Sequence, residues 1–225
     1  MNLYFLVEGK TEKKVYPQWL SYLLPGFSRV DAYDQVSKNS YFIISGGGFP
    51  SLLDTQLKPS IEEVNESQKY NFLVLCLDSD DESPDAKKTM VHNFIKKNML
   101  KISCELKIIV QNKCMETWFM GNQTVYPRNI SENFKPFAEF YNVLNNDPEL
   151  MSKQADFEES CSIYHYEYLK YMLLEKNIKY SKTRPNDVTR EYYLQELQKR
   201  ILEKPEHLST LRVFLEFCNN LHKIT

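Results

Sequence analysis

The sequence predicts an α/β fold, with a mostly parallel sheet flanked by helices and a mainly helical C-terminal part. Three observations predict it. Continuous apolar runs such as Leu3–Val7 and Phe72–Leu77 have the length of strands covered on both faces. Segments with helical apolar spacing alternate with those runs over residues 1–120. Past about residue 121 the helical spacing continues and strong strand patterns stop.

Taken in order, Leu3–Val7 is the first strand. Thr11 is placed to cap a helix running to about Leu24, with Val15, Trp19, Leu20 and Leu23 at helical spacing and Pro25-Gly26 as its stop. Tyr41–Ile44 is a second strand, ended by Gly46-Gly47-Gly48. A helix follows over much of Ser51–Glu66, with an interruption expected near Pro59. Phe72–Leu77 is the clearest central strand. Ser83-Pro84 reads as N-cap and first residue of a helix reaching roughly Asn98. Leu106–Val110 is a further strand. Helices are expected at 158–176, 189–203 and 207–222, joined by an irregular connection over 121–157. The domain division read from this pattern is 1–120 and 121–225.

Composition narrows the function classes. The chain is 42% hydrophobic and 26% charged, ordinary for a folded protein. A net charge of −2 disfavours a dedicated non-specific nucleic-acid binder more than an enzyme that handles nucleic acid through metal ions. No apolar run is long enough to span a membrane, and the N-terminus lacks the features of a signal peptide. The five cysteines are spread out with no C-x-x-C pair, so the sequence points to a reduced, cytoplasmic protein without a thiolate zinc site. Four histidines without H-x-x-x-H spacing give no support to zinc hydrolase chemistry.

Chemistry concentrates at strand ends. Glu8 directly follows the first strand, and Asp78 and Asp80 follow the central one, where open α/β sheets bind ligands. Were extended geometry to persist past Leu77, both Asp side chains would point to one side, and a divalent cation would relieve their repulsion. Hard oxygen donors of this kind suit Mg2+ or Mn2+. Standing alone, Asp78–Glu82 reads equally well as a solvated acidic loop, and Glu8 as a surface residue.

Val7-Glu8-Gly9-Lys10-Thr11-Glu12 followed by Leu75-Cys76-Leu77-Asp78-Ser79-Asp80 resembles the Toprim domain, in the branch of OLD-type and RloB-like nucleases. The resemblance covers roughly residues 1–120. It implies a Toprim-like, Rossmann-like fold and a metal-dependent nuclease, with Glu8, Asp78 and Asp80 as ligands and Glu12 as a second acidic group. The segment Asn112–Phe119 is similar to one in RloB-like proteins; by that likeness Glu116 is a further ligand and Lys113 stabilises charge on the phosphate. Read by themselves, Trp118 and Phe119 are core, and Lys113 is a surface residue. Many relatives of this branch act in bacterial defence against phage, often beside a separate ATPase; this chain has no Walker motif, so the resemblance implies that any ATPase would be a partner protein.

Gly46–Gly48 reads first as a flexible turn and second as a place where phosphate approaches the backbone. Between 170 and 190 six Lys and Arg stand against Glu175 and Asp187, interleaved with tyrosines. Lys179, Lys182 and Arg184 are the candidates there for binding a nucleic-acid substrate, against a reading of the stretch as a solvated helix face. Two other functions share parts of the pattern. A non-catalytic Toprim-like module would not need the intact carboxylates, and a nucleotide-sugar transferase would leave the Glu8–Glu12 segment without a role.

Overall fold

A computed structural model describes residues 1–224. In chain order its elements are β1 (Asn2–Val7), α1 (Lys10–Leu23), β2 (Ser28–Arg29), β3 (Ser40–Ser45), α2 (Lys58–Ser67), β4 (Phe72–Asp78), α3 (Pro84–Lys97) and β5 (Glu105–Gln111). These are followed by α4 (Met115–Phe119), α5 (Lys135–Phe140), α6 (Cys161–Leu174), α7 (Glu191–Glu203) and α8 (Ser209–Ile224). The α/β class with a parallel sheet and a helical C-terminal part is what the sequence predicts. The chain forms two compact units. One comprises 1–77, 84–110 and the segment from Phe214; the other comprises 78–83 and 111–213. That division differs from a single boundary near residue 120, because the Asp78–Ser83 segment and the chain after β5 fold with the helical part.

In the first unit the sheet order is β2-β3-β1-β4-β5 and the strands run parallel. β1 pairs with β3 through Val7↔Ser45 and with β4 through Val7↔Cys76. Leu3–Val7 are fully buried, as the unbroken apolar run requires of a strand covered on both faces. One face, with Tyr4, Leu6, Leu73, Leu75 and Leu77, packs on Leu57, Ile61, Val64 and Val91. The opposite face carries Phe5, which meets Tyr16 of α1 at 6.1 Å, and Tyr16 in turn meets Phe214 of α8 at 5.0 Å.

Three local expectations change. α1 begins at Lys10, with Gly9 as its N-cap and no side-chain capping bond, so Thr11 lies inside the first turn and is buried rather than capping. The helix over 51–67 is not interrupted at Pro59; a wide turn over Leu53–Leu57 precedes it and takes up the loss of the proline N–H and the clash of its ring. The two-residue edge strand β2 has no apolar pattern to mark it and is added by pairing with β3.

The second unit is helical. Trp118 and Phe119 are fully buried, so they are core. Phe119 packs on Tyr193 at 6.3 Å, and Phe134 on Tyr168 at 5.2 Å. Arg200 is also buried, held by the carbonyls of Gly121 at 3.1 Å and Asn146 at 2.7 Å. The connection over 121–157 is mostly irregular but contains α5. No helix among the described residues is long and apolar enough to cross a membrane.

Candidate functional site

Glu8 is the first residue after β1, and its amide donates to the Cys76 carbonyl at 3.1 Å. A turn closes over it from the end of β3. Gly47 N–H donates to the Glu8 carbonyl at 3.1 Å, and the Ser45 hydroxyl donates to the same oxygen at 3.3 Å. Phe49 N–H donates to the carboxylate Oε1 at 3.0 Å. Gly47 and Gly48 have φ of 82° and 108°, which side chains other than glycine rarely adopt. The amides of Gly46, Gly47 and Phe49 are thus bonded to Val7 and Glu8. The glycine run serves to hold Glu8, and the turn reading describes it better than phosphate approach.

Glu12 lies in the first turn of α1 and is 4% exposed. Its carboxylate folds back over Gly9, where a Cβ would stand 2.7 Å from Oε2. Burial pushes the Cys76 thiol pKa up, and the Glu12 charge pushes it further, while a hydrogen bond from Tyr16 acts the other way. Glu12 therefore faces the interior beside β4.

In the second unit, Asp78 is half-buried and Ser79 is buried. Extended geometry does not persist to Asp80, whose φ is 54°. Strand alternation therefore does not align the two Asp side chains. Instead the segment is zipped to the chain after β5. Ser79 N–H donates to the Gln111 carbonyl at 2.9 Å and Asp80 N–H to the Lys113 carbonyl at 3.0 Å. Lys113, itself at φ 69°, donates its N–H to Ser79 Oγ at 2.9 Å. Asp80 and Lys113, two non-glycine residues in the left-handed region, are joined by the bond from the Asp80 amide to the Lys113 carbonyl, a local strain of the kind found at functional sites. The Asp80 carboxylate accepts from Ser162 Oγ at 2.8 Å, and Asp81 accepts from the Cys161 amide at 3.1 Å at the start of α6.

The Asn112–Phe119 segment splits its two candidates. Glu116 is 2% exposed and accepts from the Tyr180 hydroxyl at 2.7 Å. Burial raises the Cys114 thiol pKa well above its ordinary value; Glu116 and then Asp78 raise it further, and Lys182 lowers it. Asp78, Glu116 and Lys182 therefore share the surroundings of one buried thiol. Lys113 turns elsewhere. Its charge acts on Cys161 and His165, and it lines a cleft with Asp81, Lys153 and Cys161.

Of the three candidate substrate contacts, Lys182 is exposed, with its Nζ 5.7 Å from the Tyr166 ring centroid. Lys179 and Arg184 are also exposed and belong to the same tight loop. The Lys179 carbonyl accepts from Asn186 at 3.1 Å, and Arg184 N–H donates to Ser181 Oγ at 3.1 Å. These three residues lie on a turned loop after α6, not on a helix face.

Sequence reasoning missed Ser162 as a partner of Asp80 and Tyr180 as a partner of Glu116, and neither left a signal, because each lies far along the chain from the carboxylate it meets.

Among the described residues no group of three or more His, Cys, Asp or Glu side chains is arranged to hold a metal ion. The oxygen donors at Glu8, Asp78 and Asp80 nevertheless suit Mg2+ or Mn2+ in kind. Mg2+ takes one or two carboxylates and fills its shell with water and phosphate oxygens, so it needs no larger protein cage. Comparison with protein-family models, with curated proteins and with solved structures finds no match.

Proposed function

We propose that the chain is a metal-dependent nuclease that hydrolyses phosphodiester bonds in DNA or RNA. One observation carries the reading. In the strand order β2-β3-β1-β4-β5, the connection leaving β1 runs toward β2 and that leaving β4 runs toward β5. The topological switch point thus falls between β1 and β4, the place where sheets of this kind bind ligands. Glu8 follows the carboxyl end of β1, and Asp78 is the last residue of β4.

In this reading Glu8 and Asp78 hold Mg2+ or Mn2+, with Asp80 as a further donor. The chemistry such an ion supplies when bound is a water of lowered pKa and charge stabilisation on the phosphate. The chain's own residues do the rest. The turn over Ser45–Phe49 orients Glu8. Ser162 Oγ orients Asp80, and Tyr180 orients Glu116 near Asp78. The exposed ammonium of Lys182 draws the polyanion, with Lys179 and Arg184 beside it on the same loop.

The test is calorimetric titration with Mn2+ of wild type and Asp78→Asn/Asp80→Asn, alongside incubation of both with plasmid, single-stranded DNA and tRNA in Mn2+ or EDTA. Wild type is expected to bind Mn2+ and to cleave at least one substrate, with EDTA abolishing cleavage. The variant is expected to lose binding and to cleave at least about 100-fold more slowly, the loss typical of a group that stabilises the transition state. Equal Mn2+ binding by both proteins, or no cleavage of any substrate by wild type, overturns the reading.

A further inference from the structure

The start of α6 borders a cleft of about 340 Å3 in the second unit, at the small end of the range for ligand sites, about 300–1,000 Å3. Two half-buried lysines line it, Lys113 after β5 and Lys153 before α6. Cys161 lines it as well. Burial raises the pKa of the Cys161 thiol; Lys113 lowers it, Asp81 raises it and Lys153 lowers it. Both ammoniums therefore stand near one sulfur at the wall of the cleft.

The carboxylates that line the same cleft are committed to other donors. Asp81 Oδ1 accepts from the Cys161 amide at 3.1 Å, and Glu149 accepts from Ser209 Oγ at 2.8 Å and from Thr210 N–H at 3.0 Å. Among the described residues neither Lys113 nor Lys153 has a carboxylate oxygen within 4.0 Å. Lys135 and Lys170 of the same unit, by contrast, pair with Glu132 and Glu167. The Lys153 ammonium donates to the Glu159 carbonyl at 2.5 Å, which uses one of its three N–H groups. Two cations partly withdrawn from water in one cleft carry a desolvation cost and a mutual repulsion, and a bound anion offsets both. The adjoining cleft shares Glu149 and Leu150 but adds Asp147 and Glu206 and has no Lys or Arg, so it carries the wrong sign for an anion.

We propose that the Lys113–Lys153 cleft is a subsite for a phosphate of the substrate strand other than the one cleaved. Asp78 and Glu116 act on the Cys114 thiol, whereas Lys113 and Lys153 act on Cys161, so the two ammoniums stand apart from those carboxylates. The cleft is lined by Asp81, the residue after the candidate donor Asp80, so a strand engaged there presents a neighbouring phosphate to it. Lysine serves such a contact as a point charge, without fixed geometry. The proposal rests on the reading of the chain as a nuclease. It adds a strand contact at Lys153, separate from the exposed loop of Lys179, Lys182 and Arg184.

The experiment measures the affinity of wild type, Lys113→Met/Lys153→Met and Lys135→Met for labelled single-stranded DNA and RNA oligonucleotides across a salt series. EDTA is present throughout, so neither metal nor cleavage enters. Met keeps most of the lysine stem and removes the charge. The double variant is expected to bind more weakly, to melt close to wild type, and to lower the slope of log affinity against log salt by about 0.7, the share of one phosphate on a single strand. Lys135→Met removes a charge of the same unit outside the cleft and is expected to leave the slope unchanged. An unchanged slope in the double variant overturns the proposal, as does a wild type that binds no strand. A fall of about 1.4 also overturns it, because the two lysines then hold separate phosphates. So does an equal fall in Lys135→Met, which marks a diffuse charge effect. If the Met variant does not fold, Lys113→Gln/Lys153→Gln is measured in its place. The two readings fail separately. A wild type that binds strands and, with Mn2+ restored, cleaves none sinks the nuclease reading, while a slope lowered by about 0.7 still supports the strand subsite. Cleavage by wild type with an unchanged slope in the double variant sinks the subsite alone.

Discussion

Tyr180→Phe isolates one hydrogen bond of the second unit. The Tyr180 hydroxyl donates to Glu116 Oε1 at 2.7 Å, with Glu116 2% and Tyr180 7% exposed. Phenylalanine keeps the ring contacts, at 6.0 Å to Phe119 and 6.0 Å to Tyr166, and deletes only the donor. A hydrogen bond to a charged group contributes about 1.5–3 kcal/mol, and its loss leaves a buried carboxylate short of a donor. The expected loss is about 2 kcal/mol, or a fall of about 4–8 °C in melting temperature for a chain of this size. Urea unfolding followed by Trp118 fluorescence in a Trp19→Phe background reads this unit, since Trp118 belongs to it and Trp19 to the other. A cycle with Glu116→Gln assigns the effect to the pair, and a coupling of about 1 kcal/mol or more is expected. If Tyr180→Phe shifts stability by less than about 0.5 kcal/mol, the size of an ordinary surface change, the bond does not hold Glu116 and its role as a positioned carboxylate falls.

Two further outcomes follow from the same unit. His165 is buried between the Thr117 hydroxyl at 2.7 Å and the Met151 carbonyl at 3.1 Å, and burial lowers its pKa to about 3. The unfolded chain therefore binds the extra proton first as pH falls, so stability is full above the ordinary histidine value near 6.5 and is lost toward pH 3. The slope is up to about 1.4 kcal/mol per pH unit. His165→Gln should flatten that acid limb in urea titrations, and an unchanged limb would show that another group carries it. A Cβ on Gly121 would stand 2.4 Å from Leu208 Cδ1 and 2.9 Å from the Trp118 carbonyl. Gly121→Ala is accordingly expected to cost about 1–3 kcal/mol as an overpacked core, and a wild-type melting curve would show that Leu208 can move aside.

By itself the sequence determined the sheet and the places where its chemistry stands. Unbroken apolar runs such as Leu3–Val7 and Phe72–Leu77, of strand length and alternating with helical patterns, fit strands covered on both faces, so the α/β class, the strand ends and the strand-end residues Glu8 and Asp78 were legible from local pattern. Periodicity likewise marked α3, α6, α7 and α8 to within a few residues, because burial of one stripe is a local property of spacing. What surrounds those strand ends was not legible, because it depends on residues far apart in the chain. Asp80 looks like a second in-line carboxylate, yet its φ of 54° is set by hydrogen bonding to Lys113 and its side chain by Ser162, partners 33 and 82 positions away. Thr11 looks like a cap, yet Gly9 takes that place because Glu12 folds back over it. The glycine run looks like open backbone, yet its amides close on Glu8 once β3 lies beside β1. Local pattern sets which residues are buried and where strands end; only long-range hydrogen bonding and packing set which way a polar side chain at such an end is turned.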